Sequence, residues 1–150
     1  MSDLRELYQQ VILDHNRKPR NFRRLTSPTQ HAEGYNPLCG DRVTVEVALE
    51  DEVIRDIGFQ GSGCAISKAS ASMMTAALKG KTVSEAEETF ERFRAMLTAN
   101  ESNGEGAARL DKLAVFAGVR EFPSRIKCAT LPWHTIHAAL AGQTEPVTTE

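Results

Sequence analysis

The sequence predicts an α+β fold: a small antiparallel sheet of three strands with helices packed on one face. Apolar residues alternate with polar ones from 42 to 50 and again from 53 to 59, as in half-buried strands. Helical spacing of apolar residues precedes and follows these stretches. The resulting order of one helix, strands and several helices is typical of an α+β domain.

The first helix is predicted to begin at Ser2 or Asp3, which can cap it, and to end before Pro19. Its apolar stripe packs either on the domain's own sheet, the commoner case, or on a partner. Asp51 and Glu52 form a short polar connection, so strands 42–50 and 53–59 are expected to pair as a hairpin. A third strand is predicted around 29–35.

The second half of the chain is predicted to be helical. Helices are expected at 64–78, 83–97, 110–116 and 130–141. Thr82 or Ser84 can cap the second of these, and the polar stretch 100–106 is interpreted as a flexible break within the domain. Residues 1–141 are expected to form a single domain, and 142–150 a disordered tail.

Composition excludes several classes of function. The chain of 150 residues has a formal net charge of −2 with mixed signs, which argues against nucleic-acid binding. A local basic cluster at 17–24 is either a solvated helix end or a docking patch for an acidic partner. No apolar run approaches the roughly 20 residues that cross a bilayer, and no signal core is present, so we expect a cytoplasmic protein without membrane contact.

The chain has three cysteines, Cys39, Cys64 and Cys128, each in a distinctive setting. Cys39 and Asp41 lie in the loop that enters the first clear strand, and the hairpin returns Cys64 to the same sheet edge. An isolated Cys is more often a small buried hydrophobe than a ligand. An odd number of thiols cannot be wholly consumed by internal disulfides, however, so free or metal-bound thiols are favoured, and the set with Asp41 could hold one metal ion.

Two other groups have simpler interpretations. His134 and His137 are three residues apart on a predicted helix, but two histidines without nearby acids are weak evidence for a second metal site. Surface or partner-facing roles are favoured for them. The methionines of helix 64–78 are expected in the core, and Cys64 at the start of that helix meets backbone N–H groups that favour thiolate.

Several unusual segments occur together and in order along the chain. They are Leu7-Tyr8, Val11-Ile12-Leu13-Asp14-His15, Pro19-Arg20-Asn21, Asn36-Pro37-Leu38-Cys39-Gly40-Asp41, Phe59 to Ser67, and Phe122 to Leu131 with Trp133. With these segments the chain resembles the IscU/SufU family of iron-sulfur cluster assembly proteins, and within it the SufU-type zinc-dependent sulfurtransferases. The resemblance covers about residues 4 to 140.

The resemblance implies one zinc ion bound by Cys39, Asp41, Cys64 and Cys128, three thiolates and one carboxylate. It implies a pyridoxal-phosphate-dependent, SufS-like cysteine desulfurase as partner, with other iron-sulfur assembly proteins as further candidates. Cys39, whose loop neighbours predict mobility and exposure, is the first choice for the sulfur acceptor, ahead of Cys128 and then Cys64. Asp is a less common zinc ligand than Cys or His. A ligand that can be displaced from the zinc would suit a site that opens during the reaction.

Residue 127 separates the functional alternatives. Scaffold-type members of the family usually carry a His directly before the last cysteine, and this chain has Lys127 there. Sulfur transfer is therefore favoured over the alternative of a scaffold on which an iron-sulfur cluster is built and handed on. A structural zinc module is the second alternative. Arg125 and Lys127 either attract a persulfide or orient Asp41, or simply face solvent.

Overall fold

A computed structural model describes residues 2–37, 40–98, 113, 115, 116, 118, 119, 122–143 and 145–148. The helices are α1 (Ser2–Arg17), α2 (Ala65–Leu78), α3 (Val83–Thr98) and α4 (Pro123–Leu140), and the strands are β1 (Gln30–Asn36), β2 (Asp41–Glu50), β3 (Val53–Ser62) and β4 (Val147–Thr148). The predicted α+β class and the predicted helices at both ends of the strand region are confirmed.

The sheet has the strand order β3-β2-β1-β4. β2 pairs antiparallel with both β1 and β3, whereas β4 runs parallel to β1 and places Val147 opposite Gly34. The sheet therefore has four strands in the described chain, not the three that the sequence predicted. The fourth strand is only two residues long and lies in the stretch 142–150. A pattern of two residues is too short to predict a strand from the sequence.

The hairpin between β2 and β3 turns through Asp51 and Glu52, as predicted. Both residues have positive φ, +53° and +66°, the conformation that a two-residue turn of this hand requires. Residues other than Gly, Asn and Asp pay a steric cost there. The Glu52 carbonyl also accepts a hydrogen bond from Val83 N at 2.9 Å, which connects the turn to the start of α3.

The core lies between the sheet and the helices. The Val43, Val45 and Val47 side chains of β2 are buried together with Met74 of α2 and Trp133 of α4. α2 and α4 pack on each other and on the sheet, α1 packs on α2, and α3 packs on α4. The core interpretation of the methionines in α2 is confirmed, since Met73 and Met74 are both buried.

The last helix differs from its prediction. A helix was predicted from about 130, but α4 already begins at Pro123, so Cys128 lies within the helix rather than in a segment leading to it. Proline suits the first turn of a helix because its missing N–H would be unpaired there. Pro132 sits inside α4 as well and removes the N–H that would pair with the Cys128 carbonyl.

Other predictions are confirmed in part. Thr82 caps α3: its hydroxyl accepts Glu85 N–H at 3.1 Å, and Glu85 Oε1 accepts Thr82 N–H at 2.9 Å. The predicted break at 100–106 and most of the predicted helix at 110–116 lie outside the described residues. Within the described ranges, none of the helices has the length and hydropathy needed to cross a membrane.

Candidate metal centre

Asp41 is the first residue of β2 and is 1% exposed. Its Oδ1 accepts the backbone N–H of Cys64 at 2.9 Å, and its Oδ2 lies 3.8 Å from Cys64 Sγ. The strand pairing places Asp41 at the same sheet edge as the end of β3, as the sequence predicted. Displacement of this carboxylate would require breaking its hydrogen bond to the backbone.

Cys64 is the N-cap of α2, and its Sγ accepts the Ser67 N–H at 3.4 Å. The thiol is half-buried and forms no disulfide. A helix N-terminus carries partial positive charge and unpaired N–H groups, both of which stabilise a thiolate. The predicted location of Cys64 at a helix start is therefore confirmed, and the same turn holds both Cys64 and the Asp41 carboxylate.

Cys128 approaches from α4, is 2% exposed, and lies 3.6 Å from the Ser124 carbonyl. Burial raises the pKa of the Cys128 thiol, and the adjacent Asp41 and Cys64 raise it further. The sulfur of Cys64, followed by that of Cys128, raises the pKa of Arg125, so this guanidinium lies beside both sulfur atoms. The group of Asp41, Cys64 and Cys128 thus has a cation at its rim.

The ligand atoms of Asp41, Cys64 and Cys128 all lie within 4.8 Å of one another. Two sulfur donors and one carboxylate oxygen suit zinc, which takes four such donors in a tetrahedron. The buried, mutually repelling ionisable groups also indicate a site built for a cation. Among the described residues, this is the one group of His, Cys, Asp or Glu side chains with such geometry.

The other predicted site residues stand differently. Cys39 lies outside the described residues, as does Leu38, and the flanking Pro37 and Gly40 are exposed. Gly40 has φ +78° and donates its N–H to the Asn36 carbonyl at 2.8 Å, which closes the turn between β1 and β2. Lys127 is half-buried and forms no ion pair with any described residue.

The amino-terminal motif has a structural role that sequence reasoning missed. His15 Nδ1 lies 2.7 Å from Ser72 Oγ, which also accepts the Arg20 N–H at 2.7 Å. Asn21 donates to Thr75 Oγ1 at 3.0 Å. These bonds hold α1 and the segment after it against α2, the helix that Cys64 caps. The sequence feature that could have indicated this role is the run of Ser and Thr residues on α2, which includes Ser70, Ser72 and Thr75.

The basic cluster at 17–24 is partly neutralised within the chain. Arg20 pairs with Asp14 at 3.3 Å and Arg23 with Asp56 at 2.7 Å, while Arg24 lies 4.0 Å from Glu46. These pairs leave less unpaired charge than the sequence indicated, so a docking patch for an acidic partner is less well supported than a solvated helix end.

His134 and His137 pack α4 against α3. The His134 ring lies edge-on to Phe90 at 5.1 Å, and His137 Nδ1 lies 2.7 Å from Glu87 Oε2. Burial lowers the pKa of His134, with the nearby Arg94 adding to the effect. His137 therefore has an acid beside it, contrary to the expectation from the sequence, and both rings pack on α3. The preference against a second metal site stays a prediction.

Comparison with known proteins agrees with this centre and fold. Residues 7–142 match the NifU-like N-terminal domain. The chain is 39% identical over 140 residues to the zinc-dependent sulfurtransferase SufU of Bacillus subtilis, covering 93% of each chain. It is 37% identical over 140 residues to the iron-sulfur cluster assembly scaffold protein IscU of Streptococcus pyogenes, covering 93% of this chain and 86% of the relative.

A solved NifU-like protein (N-terminal) of Brucella abortus superposes with a TM-score of 0.81 at 26% identity, covering 90% of this chain and 92% of that chain. Together with a fold that brings Asp41 of β2, Cys64 at the start of α2 and Cys128 of α4 into one group, these matches define a protein of the iron-sulfur assembly class with a candidate metal centre. The chain belongs to the NifU-like N-terminal domain family, and its resemblance to IscU and SufU proteins is confirmed.

Proposed function

We propose that the protein accepts sulfur from a cysteine desulfurase and passes it on for iron-sulfur cluster assembly, at a site that binds one zinc ion. The observation that carries the proposal is the convergence of Asp41, Cys64 and Cys128 within 4.8 Å. Cys39 is assigned as the fourth ligand, two residues before Asp41. Bound zinc would keep the ligand thiols deprotonated and protected from oxidation.

Cys39 is assigned as the acceptor on grounds of access. Its described neighbours Pro37 and Gly40 are exposed, whereas Asp41 and Cys128 are almost fully buried. The Cys39 thiolate attacks the outer sulfur of the partner's cysteine persulfide. A new S–S bond forms at Cys39, the partner's S–S bond breaks, and the partner cysteine leaves as a thiolate. No external oxidant or reductant is needed.

Arg125 supports this step electrostatically. Its guanidinium lies beside the Cys64 and Cys128 sulfurs and is exposed on its other side. A cation at the rim of the site attracts an incoming persulfide anion and offsets the charge of the thiolates. Lys127 occupies the position where the family resemblance implies a His in scaffold-type members, so the chain lacks that imidazole ligand.

The decisive experiment measures zinc content and desulfurase turnover together. The wild-type protein is expected to hold one zinc ion per chain and to increase alanine production by a pyridoxal-phosphate-dependent desulfurase. Cys39→Ala is expected to abolish this stimulation, and mass spectrometry is expected to find the transferred sulfur on Cys39. Normal stimulation by Cys39→Ala would overturn the assignment of the acceptor.

Two other functions give different results in the same preparation. A cluster scaffold, favoured by the name of the Streptococcus pyogenes relative, would give a coloured, oxygen-sensitive protein and hand its cluster to an acceptor. If the zinc site were purely structural, chelation of the zinc would unfold the protein, and the protein would not change desulfurase turnover. Lys127→His, which adds an imidazole beside Cys128, tests whether this position separates transfer from scaffolding.

A further inference from the structure

Gly63 lies against the Asp41 carboxylate. A Cβ atom added at residue 63 would be 2.3 Å from Asp41 Oδ1 and 2.9 Å from its Cγ. No side-chain carbon is accommodated at that distance from an oxygen, so any other residue at 63 must push the carboxylate away. The missing side chain of Gly63 is what allows the carboxylate to reach the backbone of the turn.

The two oxygens of Asp41 have different surroundings in consequence. Oδ1 accepts the Cys64 N–H at 2.9 Å, and Oδ2 lies 3.8 Å from Cys64 Sγ. Since Asp41 is 1% exposed, water does not compete freely for either oxygen. One oxygen is therefore held by the backbone, and the other lies next to the Cys64 sulfur.

We propose that Gly63 is a positioning residue that restricts Asp41 to binding metal through Oδ2 alone. A carboxylate with one oxygen held by an N–H contributes one donor, which keeps the centre at four donors and favours a tetrahedral ion such as zinc. A freed carboxylate can bind through both oxygens and raise the coordination number, as harder divalent ions prefer. The inference rests on the proposed ligand set but not on sulfur transfer.

The test uses Co²⁺ as a spectroscopic probe of the purified protein, with Zn²⁺ competition for affinity. Gly63→Ala is expected to lower affinity about 10-fold or more, the usual effect of losing an outer-shell contact. The visible Co²⁺ bands are expected to weaken, since four-coordinate Co²⁺ absorbs more strongly than Co²⁺ with higher coordination. Both readouts are independent of the desulfurase.

A double-mutant cycle separates this role from a general effect on the turn. In an Asp41→Ala background the carboxylate is gone, so Gly63→Ala is expected to cause no further change in Co²⁺ affinity or spectrum. Gly61→Ala is the matched control: its Cβ would lie 2.1 Å from the Arg42 carbonyl, a backbone atom, so it should lower stability without changing the Co²⁺ spectrum.

Two outcomes would overturn the proposal. One is a wild-type spectrum and affinity for Gly63→Ala, and the other is an equal loss of affinity in both backgrounds. If Gly63→Ala does not fold, recovery of folding in the Asp41→Ala double variant supports the proposal, whereas an unfolded double variant overturns it. If the double-mutant cycle shows no coupling between Gly63 and Asp41 but the protein still stimulates a desulfurase, the role of Gly63 is refuted and the proposed function is not.

Discussion

Trp133 donates its indole N–H to the Ser70 hydroxyl at 3.1 Å, and both residues are fully buried. Ser70 in turn donates to the Ala129 carbonyl at 2.5 Å. This pair joins α2 to α4 six residues after Cys64 and five residues after Cys128. The hydrogen bonds that join the two helices therefore also help to set the distance between these two thiols, both of them candidate metal ligands.

Ser70→Ala is expected to lower the free energy of unfolding by about 1–3 kcal/mol, because it leaves the buried indole N–H without a partner. Urea denaturation of the zinc-loaded protein measures this. Ser67→Ala is the matched control on the same helix: Ser67 is also buried, but its hydroxyl has no hydrogen bond to a described residue. Equal losses in the two variants would contradict the assigned role of Ser70.

Gly34→Ala is expected to destabilise the protein by about 1–3 kcal/mol through overpacking. A Cβ at residue 34 would lie 2.0 Å from Thr135 Oγ1 and 3.1 Å from Leu131 Cδ1, where α4 crosses β1. The thermal midpoint should fall accordingly. Gly118→Ala, whose Cβ would meet no atom of the described residues within 4 Å, is the control, and a similar fall there would argue against a steric cause.

Glu52→Gly is expected to stabilise the protein by up to about 1 kcal/mol. The positive φ of +66° at Glu52 costs energy for a residue with a Cβ and none for glycine, although glycine loses more entropy on folding. Glu52→Ala removes the same charge but keeps the Cβ, so it should not stabilise. A higher unfolding midpoint for Glu52→Ala than for the wild type would show that the stabilisation comes from removing the charge of Glu52.

Stability should depend on pH through His134. Burial lowers its folded-state pKa below the ordinary value of 6.5, so the unfolded chain binds the proton more readily. The stability that the neutral ring supports is present above pH 6.5 and is lost as the pH falls through the lower folded-state pKa.

Unfolding at a series of pH values should therefore show a steeper loss below 6.5 in the wild type than in His134→Gln. Replacement of the exposed His31 by Gln is the control for a general effect of removing a histidine. Parallel curves for the wild type and His134→Gln would show that protonation of His134 does not oppose folding.

The strands and the start of α2 were predictable because their signals are local. Alternation indicated that Val43, Val45 and Val47 share the buried face of β2. The predicted second strand ended at Phe59, whereas β3 continues to Ser62. The start of α4 was not predictable from local pattern, since a proline occurs both at its first position and within it. Packing of α4 against α2 decides its length.

By itself the sequence determined the α+β class, the family resemblance and the types of ligand, because these depend on residue identity and on short-range periodicity. Only the tertiary structure decided that Asp41, Cys64 and Cys128 meet within 4.8 Å, and that Gly63 lies against the Asp41 carboxylate. The physical reason is distance along the chain. Contacts between β2, the start of α2 and the middle of α4 depend on how these elements pack, which no local pattern encodes.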